Sequence, residues 1–105
     1  MKKFVHFGVV CQEKKEGMGL IPSLGVWALC DDNDPNHIEY LYFEPDSPMK
    51  DTLVAKTSHV AYAVDDIDNK VANIKCCWGP MDAAPGIRLA FFVDENGTLT
   101  EYCQC

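Results

Sequence analysis

Positive charge is what this chain has least of. Nine Lys and Arg stand against sixteen Asp and Glu in 105 residues, for a net charge of -7. The cations are scattered, which excludes binding to a phosphate backbone, because nucleic-acid partners need a concentrated basic patch. No apolar stretch approaches the roughly 20 residues that a bilayer-spanning helix needs. The start, MKKFVHFGVVCQEKK, is basic and then briefly apolar. His6 interrupts that run and no small-residue cleavage site follows, so it is not read as a signal peptide. The expectation is a cytoplasmic protein with neither membrane nor nucleic-acid partners.

A C-x-x-C pair is also missing. The six cysteines (Cys11, Cys30, Cys76, Cys77, Cys103 and Cys105) include an adjacent pair and a C-x-C, neither with the spacing of a common zinc knuckle. Without a secretory signal they are read as reduced, mostly small core residues or end-of-chain thiols. Disorder-type composition is absent too, since 48% of residues are hydrophobic and 24% charged. One domain spanning residues 1–105 is expected. So short a chain buries only part of its surface and leaves shallow pockets, so a homodimer that walls them is expected.

What is present is a series of short alternating apolar runs bounded by turn residues, the pattern of strands. FVHFGVVC (4–11) is the first. QEKKEGMGLIPSLG (12–25) reads as a loop leading into a short strand, because its glycines and Pro22 prevent a long helix. VWALCDD (26–32) and HIEYLYFE (37–44) flank the turn-forming DNDPN and read as a hairpin. Residues 50–57 connect to the strand SHVAYAV (58–64). The period then changes. In residues 65–75, Asp65 or Asp66 can cap a helix on which Ile67, Val71 and Ile74 recur at helical spacing. A loop with Gly79, Pro80, Pro85 and Gly86 leads to a closing hairpin, GIRLAFFVD and TLTEYCQC, turned at Asn96-Gly97, where positive φ is expected.

The two halves, about 1–48 and 56–105, resemble each other. Val5-His6-Phe7-Gly8 echoes Ser58-His59-Val60-Ala61, and Ile38-Glu39-Tyr40 echoes Thr100-Glu101-Tyr102. The order His, Glu, His, Glu repeats. Alternation puts His6 on one face with Gly8 and Val10, and His59 on one with Ala61 and Ala63, so small neighbours leave room around both rings. A core-facing carboxylate without a partner is costly, and a shared ion would remove that cost. Two imidazoles and two carboxylates suit a divalent Zn, Ni, Co, Mn or Fe, with positions left for water or a chelating substrate. The competing reading makes all four ordinary polar-face residues. His37, close to Glu39 in sequence, is read as a loop-end residue and left out of the set.

These residues carry a resemblance to the vicinal oxygen chelate superfamily, the glyoxalase and bleomycin-resistance fold of paired βαβββ modules. The segments are SHVAYAVDDID, GIRLAFFVDENGTLTEY and IEYLYFEPDSP, the last similar to methylmalonyl-CoA epimerases. The resemblance implies an α+β fold, a cupped mixed sheet whose first module lacks its helix, with QEKKEGMG in that place. It implies metal ligands at His6, Glu39, His59 and Glu101, as in glyoxalase I enzymes. It implies an isomerase or lyase acting on a small oxygen-chelating metabolite through a metal-stabilised enolate, with Glu101 the first candidate base and Glu39 the second. Arg88 is a candidate for an anionic substrate group, or an ordinary surface arginine. The alternative function is a non-catalytic binding or resistance module of the same fold.

Overall fold

Short runs of β-branched and aromatic residues, separated by Gly, Pro, Asn and Asp, fold into eight strands, because such side chains suit a pleated, half-buried surface. The computed structural model describes residues 2–30 and 33–104; Asp31 and Asp32 of the second expected strand and Cys105 of the C-x-C pair lie outside them. The strands are β1 (Lys3–Val10), β2 (Gly19–Ile21), β3 (Val26–Cys30), β4 (Ile38–Phe43), β5 (His59–Ala63), β6 (Trp78–Ala84), β7 (Ile87–Val93) and β8 (Leu99–Gln104). They form one curved, nearly closed mixed sheet in the order β2-β3-β4-β1-β5-β8-β7-β6. β1 runs parallel to β4 and β5 parallel to β8, while β1 and β5 meet antiparallel at the centre. The two halves are therefore topological copies, and their first and last strands make up the middle four.

Hydrophobic clusters sit on both faces. Inside the cup, Leu24, Val26, Leu41, Met49, Val54, Phe91 and Leu99 are buried together. Met49 and Val54 come from the crossover between β4 and β5, which holds a short 3-10 turn at Leu53–Ala55. Ser47 pins that crossover: its hydroxyl donates to the Leu24 carbonyl and accepts from the Met49 N–H. On the outer face of the second half, Val64, Ile67, Val71 and Ala90 form a separate cluster, with Tyr102 packed against it.

The helix expected over residues 65–75 is a single turn, α1 (Ile67–Lys70), capped by the Asp66 carboxylate, which accepts from the Asn69 N–H. Ile67, Val71 and Ile74 still reach the same cluster, because turns satisfy a three-and-four spacing as well as a helix does and the run is too short to propagate one. The loop expected around Gly79 and Pro80 is instead the strand β6. It lies at the sheet edge, where a proline without an N–H is tolerated, and its ladder to β7 is irregular on both sides of Met81 and Asp82. The Asn96-Gly97 turn does adopt positive φ, 83° at Gly97.

Among the described residues no helix covers the outer face of the first half. Residues 11–18 are irregular there, and Lys14 and Lys15 lie over the rings of Trp27 and Tyr40 at 4.4 and 4.9 Å. Their aliphatic stems shield part of the aromatic surface that a helix would bury. Cys11, Cys76 and Cys77 are free thiols. Among the described residues no helix is long and apolar enough to cross a membrane.

Candidate metal centre

The registry of the four central strands gathers the polar residues. Gly8 pairs with both Glu39 and His59, and Ala61 pairs with both His6 and Glu101, so all four side chains share the concave face. His6 Nε2 lies 3.2 Å from Glu39 Oε1 and 3.6 Å from Glu101 Oε1; His59 Nε2 lies 2.8 Å from Glu101 Oε1. His6, His59 and Glu101 each offer a ligand atom within 4.8 Å of the others, and all three are buried. Glu39 reaches the group through His6 and is the more open carboxylate, its side chain 24% exposed against 8% for Glu101.

The imidazoles are under-satisfied as the chain stands. His6 Nε2 and both ring nitrogens of His59 are buried without a well-formed hydrogen bond, although Glu101 Oε1 approaches His59 Nε2 closely. Buried polar atoms without partners are costly, and a cation at the convergence of the two Nε2 atoms and the carboxylates would satisfy those two nitrogens, leaving His59 Nδ1 outside the centre. The donor set therefore fits a divalent ion of the nitrogen-and-oxygen type. The cluster could hold such an ion through His6, His59 and Glu101.

Electrostatics separates the two carboxylates. Burial pushes Glu101 upward, but contacts with His59 and His6 more than offset it and leave its pKa below the ordinary value. Burial holds Glu39 above the ordinary value, with the charge of Glu101 adding to it and His6 pulling the other way. For His6, burial favours the neutral ring, yet Glu101 and Glu39 outweigh it and raise its pKa.

Two neighbours that the sequence pattern does not single out shape the His59 position. Phe91 on β7 packs its ring edge-on at a centroid distance of 5.1 Å. Gly8 lies so close that a Cβ there would meet His59 Cε1 at 2.1 Å. The signal available for Gly8 was its smallness on the His6 face; Phe91 gave none, being one apolar residue in a run of them.

Arg88 does not join the cluster. It pairs with Gln104 on the face opposite Glu101, where its guanidinium bonds both oxygens of Asp68 and one of Asp82. Those partners raise its pKa beyond the ordinary arginine value. Tyr40 and Tyr102 also point to the outer face, Tyr40 beneath Lys15 and Tyr102 against Phe92. His37 sits at the start of β4 with φ 53°, its ring against Phe4.

The eight-stranded cupped sheet of two matched halves is a vicinal oxygen chelate-like fold, as the resemblance implied. The chain shares it with a hypothetical protein from Bacillus halodurans C-125, at 22% identity over 99% of this chain and 94% of that one, TM-score 0.71. It shares it also with a methylmalonyl-CoA epimerase in complex with methylmalonyl-CoA and NH4+, at 18% identity over 97% and 93% of the two chains, TM-score 0.57. A Streptomyces coelicolor methylmalonyl-CoA epimerase in complex with 2-nitronate-propionyl-CoA matches at 18% identity over 96% and 95%, TM-score 0.57. No protein-family model and no curated protein matches the chain.

Proposed function

We propose that the chain is a metal-dependent isomerase or lyase that moves a proton on a small metabolite chelated through two oxygens. The observation that carries this reading is the buried convergence of the His6 and His59 Nε2 atoms on Glu101 at the sheet centre, neither nitrogen in a well-formed hydrogen bond. His6, His59 and Glu101 hold the ion, with Glu39 as a fourth, looser ligand, and the donor set suits Ni, Co, Zn, Mn or Fe. A divalent ion there supplies Lewis acidity, which makes a neighbouring carbon acid easier to deprotonate.

Of the two carboxylates, Glu39 is the better base. Its raised pKa and partial exposure suit proton transfer, whereas Glu101 is held by both histidines. This reverses the order suggested by the resemblance. The shared fold with methylmalonyl-CoA epimerases supports the reading without fixing the substrate. A homodimeric working form belongs to the same proposal; Phe4 and Phe7, packed on each other and 40% and 48% exposed on β1, support a second copy.

The test is metal content followed by exchange. Untagged protein should carry or take up one Ni, Co or Zn per chain and catalyse exchange of an α-hydrogen of small oxygen-chelating acids or thioesters in heavy water. A chain that binds none of these ions overturns the proposal. Metal uptake without exchange on any such compound leaves a sequestering module in its place.

A further inference from the structure

We infer that the substituent a chelating ligand carries into the cup is short, apolar and free of negative charge, and that Met49 and Val54 set its length. This rests on reading the His/Glu cluster as a metal centre.

The cavity that opens beside Glu39, His59 and Glu101 has a volume of about 50 Å³. That is room for roughly three or four water-sized groups. Sites for larger ligands run to about 300–1,000 Å³. Its polar lining consists of Glu39, His59 and Glu101; the remaining walls include Leu24, Leu41, Met49, Val54 and Phe91. Among the described residues no Lys or Arg lines it, so an anionic group carried inward would lose its hydration and face Glu39 and Glu101 with no cationic side chain to offset it.

The far wall is built, not mobile by design. Met49 and Val54 are each 1% exposed, members of the same buried cluster as Leu24 and Leu41. The crossover that carries them is tied down by the Ser47 hydroxyl and by the Thr52 hydroxyl, which donates to the Met49 carbonyl. Lengthening the substituent therefore means displacing close-packed core, which is destabilising, and not opening a flap.

Hydroxamates are bidentate oxygen chelators whose tails can be varied, so they make the test. Cobalt-loaded protein is titrated with acetohydroxamate, butanohydroxamate, octanohydroxamate and the mono-hydroxamate of succinic acid, following the cobalt visible absorption. The two short alkyl compounds should bind at least tenfold more tightly than the octanoyl and the acid-tailed ones. Val54→Ala and Met49→Ala should each narrow the gap in affinity between butanohydroxamate and octanohydroxamate. Equal affinity across the series in the wild-type chain, which needs no variant to fold, overturns the inference. Failure to take up cobalt at all overturns the metal-centre reading and this inference with it.

Discussion

Gly8 lies against the imidazole of His59, two antiparallel strands having brought the one residue without a Cβ opposite the ring. A Cβ on Gly8 would stand 2.1 Å from Cε1 and 2.5 Å from Nε2, below the 3.0 Å that real Cβ atoms respect. His59 is packed on its other side by Phe91, so it cannot simply slide away. Gly8→Ala should therefore turn the ring and weaken binding of Ni or Co by about tenfold or more, the scale of changes that misorient a ligand. Calorimetric metal titration checks this, with circular dichroism showing that the sheet persists. Wild-type affinity in that variant would argue against His59 as a ligand.

Acidity should act in opposite senses on the metal-free and metal-loaded chain. The folded His6 pKa lies above its ordinary value of 6.5. Protonated His6 then contributes stability that is fully present below the ordinary value and lost as pH rises through the raised one. The metal-free melting temperature should fall as pH rises above the ordinary histidine value of 6.5, and His6→Gln should flatten the fall. An ion needs the neutral ring, so metal affinity should rise over the same interval. Scanning calorimetry with and without metal reads both slopes; parallel slopes would separate His6 from the centre.

Much of the site's placement was legible because charge interrupts hydrophobic alternation at matched points in two halves. Any one polar residue in such a strand is ordinary, but four at matched points of two halves are not, and His6, Glu39, His59 and Glu101 do share one face. Their work as ligands is proposed. The extent of α1 was not legible, because Ile67, Val71 and Ile74 satisfy helix and turn alike, and β6 was hidden by a proline that only an edge strand accommodates. Nothing local in SPMKDTLVAK says that Met49 and Val54 fill the cup; that depends on where the crossover passes.

Arg88 provides a control on the geometry. Its guanidinium is committed to Asp68 and Asp82 on the outer face, an exposed arrangement of small energetic weight. Arg88→Ala should leave metal affinity unchanged and, with any substrate found, leave KM within about twofold. A tenfold rise in KM would mean that the substrate reaches around to the outer face.

The two carboxylates should part company when each is made neutral. Glu101 touches both histidines and is almost fully buried, so Glu101→Gln removes a charge on which the whole cluster converges. Metal affinity should drop by about a hundredfold, taking all catalysis with it. Glu39 touches His6 alone and stays partly open to solvent. Glu39→Gln should keep nearly full metal content yet lose about 10²- to 10⁴-fold in the rate of α-hydrogen exchange, the usual worth of a positioned base. Metal stoichiometry and exchange measured on the same samples distinguish the roles. Should Glu39→Gln exchange at the wild-type rate while Glu101→Gln retains metal, the assignments are reversed and Glu101 is the base.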